Sequence, residues 1–152
     1  MRRILIALLV LCSLAVFAAD EITGRVIKVL PFFVDQEGQI AKSPSLFDRD
    51  SYQAYLREHT NEVSTMRFDI QWKAAKVADE KLKLRLELRG VGEHGKPQLK
   101  TLDTNIVAGT FHDWTPFLLG GDEYKKFGSV VAWRATLWNN DQLLGEQKSF
   151  LW

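Results

Sequence analysis

Residues 81–89 alternate strictly between charged residues and leucine, and this alternation is the strongest structural constraint in the chain. Leucine occupies every even position from Leu82 to Leu88, and a charged residue occupies every odd position. Side chains alternate between two faces only in an extended strand, whereas a helix would distribute the leucines around its circumference. The segment therefore predicts a β-sheet with one buried face and one solvated face, as in antiparallel sandwiches.

The N-terminal residues have the composition of a secretory signal peptide. Two arginines precede a short apolar run, Ile4–Ala19, which ends in small residues. This arrangement predicts a signal peptide over residues 1–18 and a secreted or periplasmic protein. A retained membrane anchor is the alternative, although the sixteen residues of the run are fewer than the roughly 20 that a spanning helix needs.

The remaining residues, 19–152, are enough for one domain, and we expect no membrane span in them. The one cysteine of the chain, Cys12, lies in the signal segment, so the mature chain has neither a disulfide nor thiol chemistry. Without the two N-terminal arginines, the basic residues nearly balance the nineteen acidic residues. No global charge therefore directs the protein to nucleic acid.

Other segments also have the pattern of half-buried strands. Pro31 interrupts the first of them and suggests an edge or a bend. In the fifth, Val131 and Trp133 are predicted to share the inner face, and a change of parity near Gly145 suggests a bulge in the sixth. The predicted strands are Ile22–Val34, Met66–Ala74, 81–89, Gln98–Val107, Val130–Trp138 and Leu143–Leu151.

Two segments are predicted to be helical. Ser45 can cap a helical insert over about 46–58, with Asp48 as the acidic partner of a capping box. A short helical corner over about 122–127 has acids in its first turn and lysines in its last, and Gly128 follows it.

Together these elements predict a mainly β fold, a single antiparallel sandwich of about seven strands with two helices. The strand order resembles that of immunoglobulin-like and fibronectin-type-III-like domains, although the Cys…Trp…Cys signature of true immunoglobulin domains is absent. The stretches 43–50 (SPSLFDRD) and 148–152 (KSFLW) resemble those of small uncharacterised secreted bacterial proteins. This resemblance implies an architecture and no activity.

No motif in the sequence predicts catalysis, a cofactor or a metal. It contains no Gly-x-Ser-x-Gly, His-Glu-x-x-His or Walker motif. The three histidines, His59, His94 and His112, lack the spacing of a metal site. An enzyme whose carboxylates meet only in the folded chain is the alternative.

The charged face of the leucine strand is one candidate binding surface. Lys83, Arg85 and Arg89 outnumber the single acid on it, and such a face could hold anionic envelope polymers. If the Met66–Ala74 strand paired beside it, Arg67 would join this face, as would a lysine of the same strand, Lys73. The alternative is a solvated face held by cross-strand ion pairs.

An aromatic loop, Thr110–Phe117, is the second candidate surface. Aromatic rings on a loop can stack on sugars or anchor a protein partner, and they can equally plug the end of a sandwich. Trp114 is expected to face outward from this loop, with Phe111 and His112 beside it.

These observations predict a non-enzymatic secreted or periplasmic binding or accessory module of a bacterial envelope. Its partner would be an envelope polysaccharide or a protein. One alternative is a secreted inhibitor or assembly factor that acts on a protein partner. The other is a surface structural subunit that self-associates through its edge strands.

We expect Leu86→Asp to prevent folding and Lys83→Ser to leave stability nearly unchanged. A buried leucine contributes about 1.5–3 kcal/mol, and an unpaired buried carboxylate adds a further cost. Thermal unfolding followed by circular dichroism measures both effects. Equal behaviour of the two variants would contradict the strand prediction.

Overall fold

The protein forms two antiparallel sheets with two helices, in a computed structural model that describes residues 22–75, 81–109 and 112–152. The predicted mainly β sandwich with a helical insert and a helical corner is confirmed. The predicted signal peptide lies outside the described residues. The elements are β1 (Thr23–Asp35), α1 (Leu46–Glu58), β2 (Val63–Ala75), β3 (Leu82–Val91), β4 (Pro97–Ile106), β5 (Asp113–Gly120), α2 (Gly121–Phe127), β6 (Ser129–Asn139) and β7 (Gln142–Lys148).

Strands from distant parts of the sequence share each sheet. The first sheet has the order β1-β2-β5 and the second has the order β4-β3-β6-β7. The prediction that Arg67 and Lys73 could join the charged face of β3 is wrong, because β2 pairs with β1 and β5. The apolar faces of β2 and β3 meet in the core, so their charged faces lie on opposite outer surfaces of the sandwich.

The core lies between β2 and β3. Leucines 82, 84, 86 and 88 of β3 are at most 1% exposed, and they share one apolar cluster with Phe68, Ile70 and Trp72 of β2. The buried indole nitrogen of Trp72 has a hydrogen-bond partner, because Nε1 donates to Thr115 Oγ1 at 2.8 Å. The alternation of leucine and charge in β3 therefore has the predicted structural role.

A bulge changes which residues of β6 face the core. The register with β3 shifts between Arg89 and Gly90, and Val131 is left out of the ladder. Val130 consequently packs against the core, whereas Val131 is 45% exposed. The prediction that Val131 shares the inner face with Trp133 is wrong for this reason.

The two sheets approach each other closely at a seam between β1 and β7. A Cβ atom added to Gly145 would lie 2.7 Å from the Cα atom of Arg25, so only glycine permits this approach. Farther along, Gln147 Nε2 donates to the carbonyl oxygen of Ile27 at 3.3 Å. The bulge predicted near Gly145 is present as a register shift between Leu137 and Trp138 of β6.

We expect Gly145→Ala to lower the free energy of unfolding by about 1–3 kcal/mol, because the added methyl group overlaps backbone that cannot rotate away. The matched control is Glu146→Ala on the same strand. Among the described residues its carboxylate pairs with Lys148 alone, at a long 3.7 Å on the surface, so its effect should stay within about 0.5 kcal/mol. Urea unfolding measures both. If the Gly145→Ala protein were as stable as the wild type, the close backbone approach of β7 to β1 at Gly145 would be contradicted.

Candidate functional site

A cleft opens where β7 ends. The strand was predicted to reach Leu151, but it stops at Lys148, and it pairs only with Arg134–Asn139 of the longer β6. Beyond Ile27, no described strand lies beside the free edge of β1. The gap, which we call the β1–β6 cleft, has a volume of about 420 Å³ and is lined by Pro31, Phe32, Phe33, Asp50, Gln53, Arg57, Met66, Val130, Val131, Trp133 and Ser149.

The lining of the β1–β6 cleft combines apolar and polar side chains. Met66 is buried, and Phe33 and Trp133 are partly buried against the core. Two charged residues of α1, Asp50 and Arg57, are exposed at the cleft. Ligand pockets commonly combine an apolar base with a few polar groups that orient the ligand.

Helix α1 forms one wall because Gln53 takes the place of a neighbouring strand. Its Oε1 accepts a hydrogen bond from Phe33 N at 2.7 Å, and its Nε2 donates to Phe33 O at 2.8 Å. The same Nε2 donates to Ile40 O at 2.8 Å. One side chain thus satisfies both backbone groups of Phe33 and fixes the helix to the edge of β1.

Asp35 holds the other side of α1. Its side chain is 6% exposed and accepts hydrogen bonds from Tyr52 Oη of α1 at 2.7 Å and from Lys42 Nζ at 2.9 Å. The backbone N–H groups of Glu37 and Gln39 also donate to it. Burial alone would raise the pKa of Asp35, but these hydrogen bonds outweigh it and hold the pKa well below its usual value.

The two charged residues of α1 at the cleft differ in their contacts. Asp50 is held by Arg49, whose Nε and Nη2 both bind Oδ1 of Asp50, at 3.0 and 2.9 Å. The guanidinium of Arg49 also lies over the ring of Phe32, 5.4 Å from its centroid. Arg57 makes no ion pair with any residue that the structure describes. The cleft therefore offers one positive charge to a ligand.

The predicted basic face of β3 is engaged by other residues of the protein. Arg85 binds Asp103 of β4 through two hydrogen bonds, at 2.7 and 2.9 Å, and this contact lowers the pKa of Asp103. Arg89 lies under the ring of Trp152, with 4.1 Å between the guanidinium carbon and the ring centroid. Lys83 lies on the same face, opposite Trp138 of β6.

The predicted aromatic loop is instead largely a strand. Trp114 belongs to β5, where it lies opposite Gln71 on the outer face of the first sheet and is 46% exposed. His112 precedes the strand and is exposed, and Phe111 lies outside the described residues. The expectation that Trp114 faces outward is confirmed. It does not meet the basic face, because that face belongs to the opposite sheet.

Sequence reasoning missed the residues that form the cleft. Gln53 and Arg57 lie in a helix that was predicted correctly, but no local pattern shows which strand edge the helix contacts. Pro31 was the one available signal, because a proline marks an edge strand. Among the described residues, no three His, Cys, Asp or Glu side chains come close enough to hold a metal ion.

Helices in the described part of the chain are all too short or too polar to span a membrane. No protein-family model, curated protein or solved structure matches the chain. The geometry of the cleft is therefore the basis for a functional argument.

The stability of the protein should depend on pH through Asp35. Because the pKa of Asp35 is lowered in the folded state, its contribution to stability is complete above about pH 5, begins to decline as the pH falls through the ordinary aspartate range, and is lost in full only below the lowered pKa of the folded state. Asp35→Asn should cost about 1–3 kcal/mol at neutral pH, since hydrogen bonds to a charged acceptor are lost.

Urea unfolding of both proteins at neutral pH and at about pH 3 measures this effect. The difference in unfolding free energy between them should shrink at the lower pH. Asp141→Asn, in the exposed turn between β6 and β7, is the matched control and should behave as the wild type at both values. A difference that is independent of pH would contradict the role of the Asp35 carboxylate.

Proposed function

We propose that the protein is a non-catalytic binding module that holds its ligand in the β1–β6 cleft. The observation that carries this proposal is the gap itself. Gln53 fixes one wall, the bulged β6 forms the other, and apolar side chains between them are covered by no strand that the structure describes. An apolar base beside a single available guanidinium supports binding of a ligand that is partly apolar and carries a negative charge.

The cleft is a better candidate than the basic face of β3. Arg85 and Arg89 already contact Asp103 and Trp152, so an anionic polymer would have to compete with these residues. Trp114 lies on the outer face of the first sheet, and we retain it as a separate candidate contact.

We further propose that the module acts outside the cytoplasm, in a bacterial envelope. This part of the proposal rests on the composition of residues 1–18, with their positive start, apolar core and small-residue exit. It is tested separately, by detecting the cleaved chain in a periplasmic or medium fraction after expression.

A thermal-shift screen with a paired set of variants tests the cleft. The panel contains peptides, fatty acids, peptidoglycan fragments and acidic polysaccharides. A ligand at 100 times its dissociation constant adds about 2.7 kcal/mol of stability, and we expect one class to raise the unfolding midpoint by roughly 5–10 °C.

Val131→Trp fills the rim of the cleft and should abolish that shift. The matched control, Leu143→Trp on β7, is exposed to a similar extent, 47% against 45%, but lies outside the cleft and should retain it. A shift that survives Val131→Trp would contradict the proposal.

A further inference from the structure

Within the cleft, no strand that the structure describes pairs with the outer edge of β6. Ser129, Val130 and Ala132 pair with β3 on one side, Val131 bulges out of that ladder, and the ladder with β7 ends at Arg134. Ser149 adds one more contact, because its N–H donates to Trp133 O at 2.9 Å and its Oγ accepts from Trp133 N at 3.0 Å. Beyond Ser149, no described strand continues along Ser129–Ala132.

The C-terminal residues turn away from this edge. Trp152 N donates to Ser149 O at 3.1 Å, which closes a turn, and the ring of Trp152 lies over Arg89 and Arg134 on the outer face. Phe150 and Leu151 are in the positions from which β7 would have continued, and they are 100% and 67% exposed. The chain's own strand therefore leaves the edge uncovered.

We propose that the ligand of the cleft is an extended peptide segment of a protein partner, which pairs with Ser129–Ala132 as a continuation of β7. This inference rests on the proposed function and names the class of ligand. An unpaired strand edge is a template for a further strand, and the backbone hydrogen bonds of the added strand supply much of its affinity. An apolar ligand without a peptide backbone would leave these backbone groups unused.

The other free edges of the described sheets are poorer templates. In β1, Pro31 has no N–H, and both backbone groups of Phe33 already bind Gln53. In β5, Pro116 interrupts the row of donors in the middle of the strand.

The edge strand β4 is open, but the pocket at its start is lined by polar and charged side chains, among them Gln98, Lys125 and Lys126. The strand presents Lys100 and Asp103, charged residues of the kind that discourage strand addition. These two residues are in turn held by Glu123 and Arg85. Among the edges that the structure describes, that of β6 combines an unpaired stretch with an apolar cleft beside it.

The lining of the cleft indicates the side chains of the peptide. Alternate residues of an added strand point to the same side, so every second residue would enter the cleft. Apolar side chains there would contact Met66 and Trp133, and an acidic side chain would meet Arg57. We infer an extended segment in which apolar residues alternate with polar ones and at least one residue is acidic.

Selection of the protein against a displayed random peptide library provides the probe. We expect enriched peptides with this alternation and an acidic residue. On binding of the synthetic form of an enriched peptide, hydrogen exchange of amides within Ser129–Ala132 should slow by about tenfold or more, because open edge amides become bonded.

Two controls separate backbone pairing from general apolar binding. The same peptide, N-methylated at alternate residues, keeps its side chains but loses its donors, and it should bind at least about tenfold more weakly, a difference of about 1.4 kcal/mol. Arg57→Glu should weaken the binding of the acidic peptide by a similar factor. Lys28→Glu, an exposed change of the same charge on β1 outside the cleft, should not.

The outcomes separate the inference from the proposed function. Peptides that bind without slowing exchange at Ser129–Ala132, or that tolerate N-methylation, would overturn strand addition. Strand addition would also be overturned if no peptide were enriched while a fatty acid such as decanoate bound and Val131→Trp abolished its binding. The cleft would then still be a binding site. If no peptide and no other member of the panel shows binding that Val131→Trp abolishes, both proposals are overturned.

Discussion

The burial of one face of β2 against one face of β3 is the constraint on which the rest of the structure depends. Four leucines of β3 and three large residues of β2 are almost inaccessible to solvent, and each contributes about 1.5–3 kcal/mol by leaving water. Both strands lie within their sheets rather than at an edge. The remaining elements therefore attach around them, and the differences that matter for function arise at the edges. There the two sheets have unequal numbers of strands, and the sandwich closes only in part.

The strand edges are covered by different contacts, and these differences explain where a ligand can bind. The seam at Gly145 joins the first half of β1 to β7, and Gln53 covers the second half. These two devices would close that side of the sandwich if β7 were as long as β6, but it is four residues shorter, with seven residues against eleven. The cleft is the space that this difference leaves. It follows from strand length and from the helix that Asp35 holds in place, and it needs no special catalytic residue.

Local sequence patterns predicted the individual strands and helices well, but they could not predict how these elements are placed relative to one another. The alternation in β3 and the cap at Ser45 act within a few residues, and the sequence shows them directly. The strand that contains Trp114 was predicted as a loop. Its alternation is short, and the pairing with β2 that stabilises it involves residues about forty positions earlier in the chain, which a local pattern does not show. The end of β7 was placed three residues too late, because the residues up to Leu151 retain a strand-like composition. That error concealed the cleft, since a longer β7 would fill it.

The basic face and the cleft are connected through Trp152. Arg89 was a candidate for binding an envelope polymer, but in the structure its guanidinium stacks on this ring, as does that of Arg134. Such contacts contribute about 0.5–1 kcal/mol each at exposed sites, which is comparable to a backbone hydrogen bond of about 0.5–1.5 kcal/mol. The two stacking contacts are therefore of the same order as the hydrogen bonds that a continued β7 would gain along β6. The face that was expected to recruit a ligand instead holds the ring of Trp152 on the outer surface of the sheet, and these contacts favour the turn that leaves the edge of β6 open.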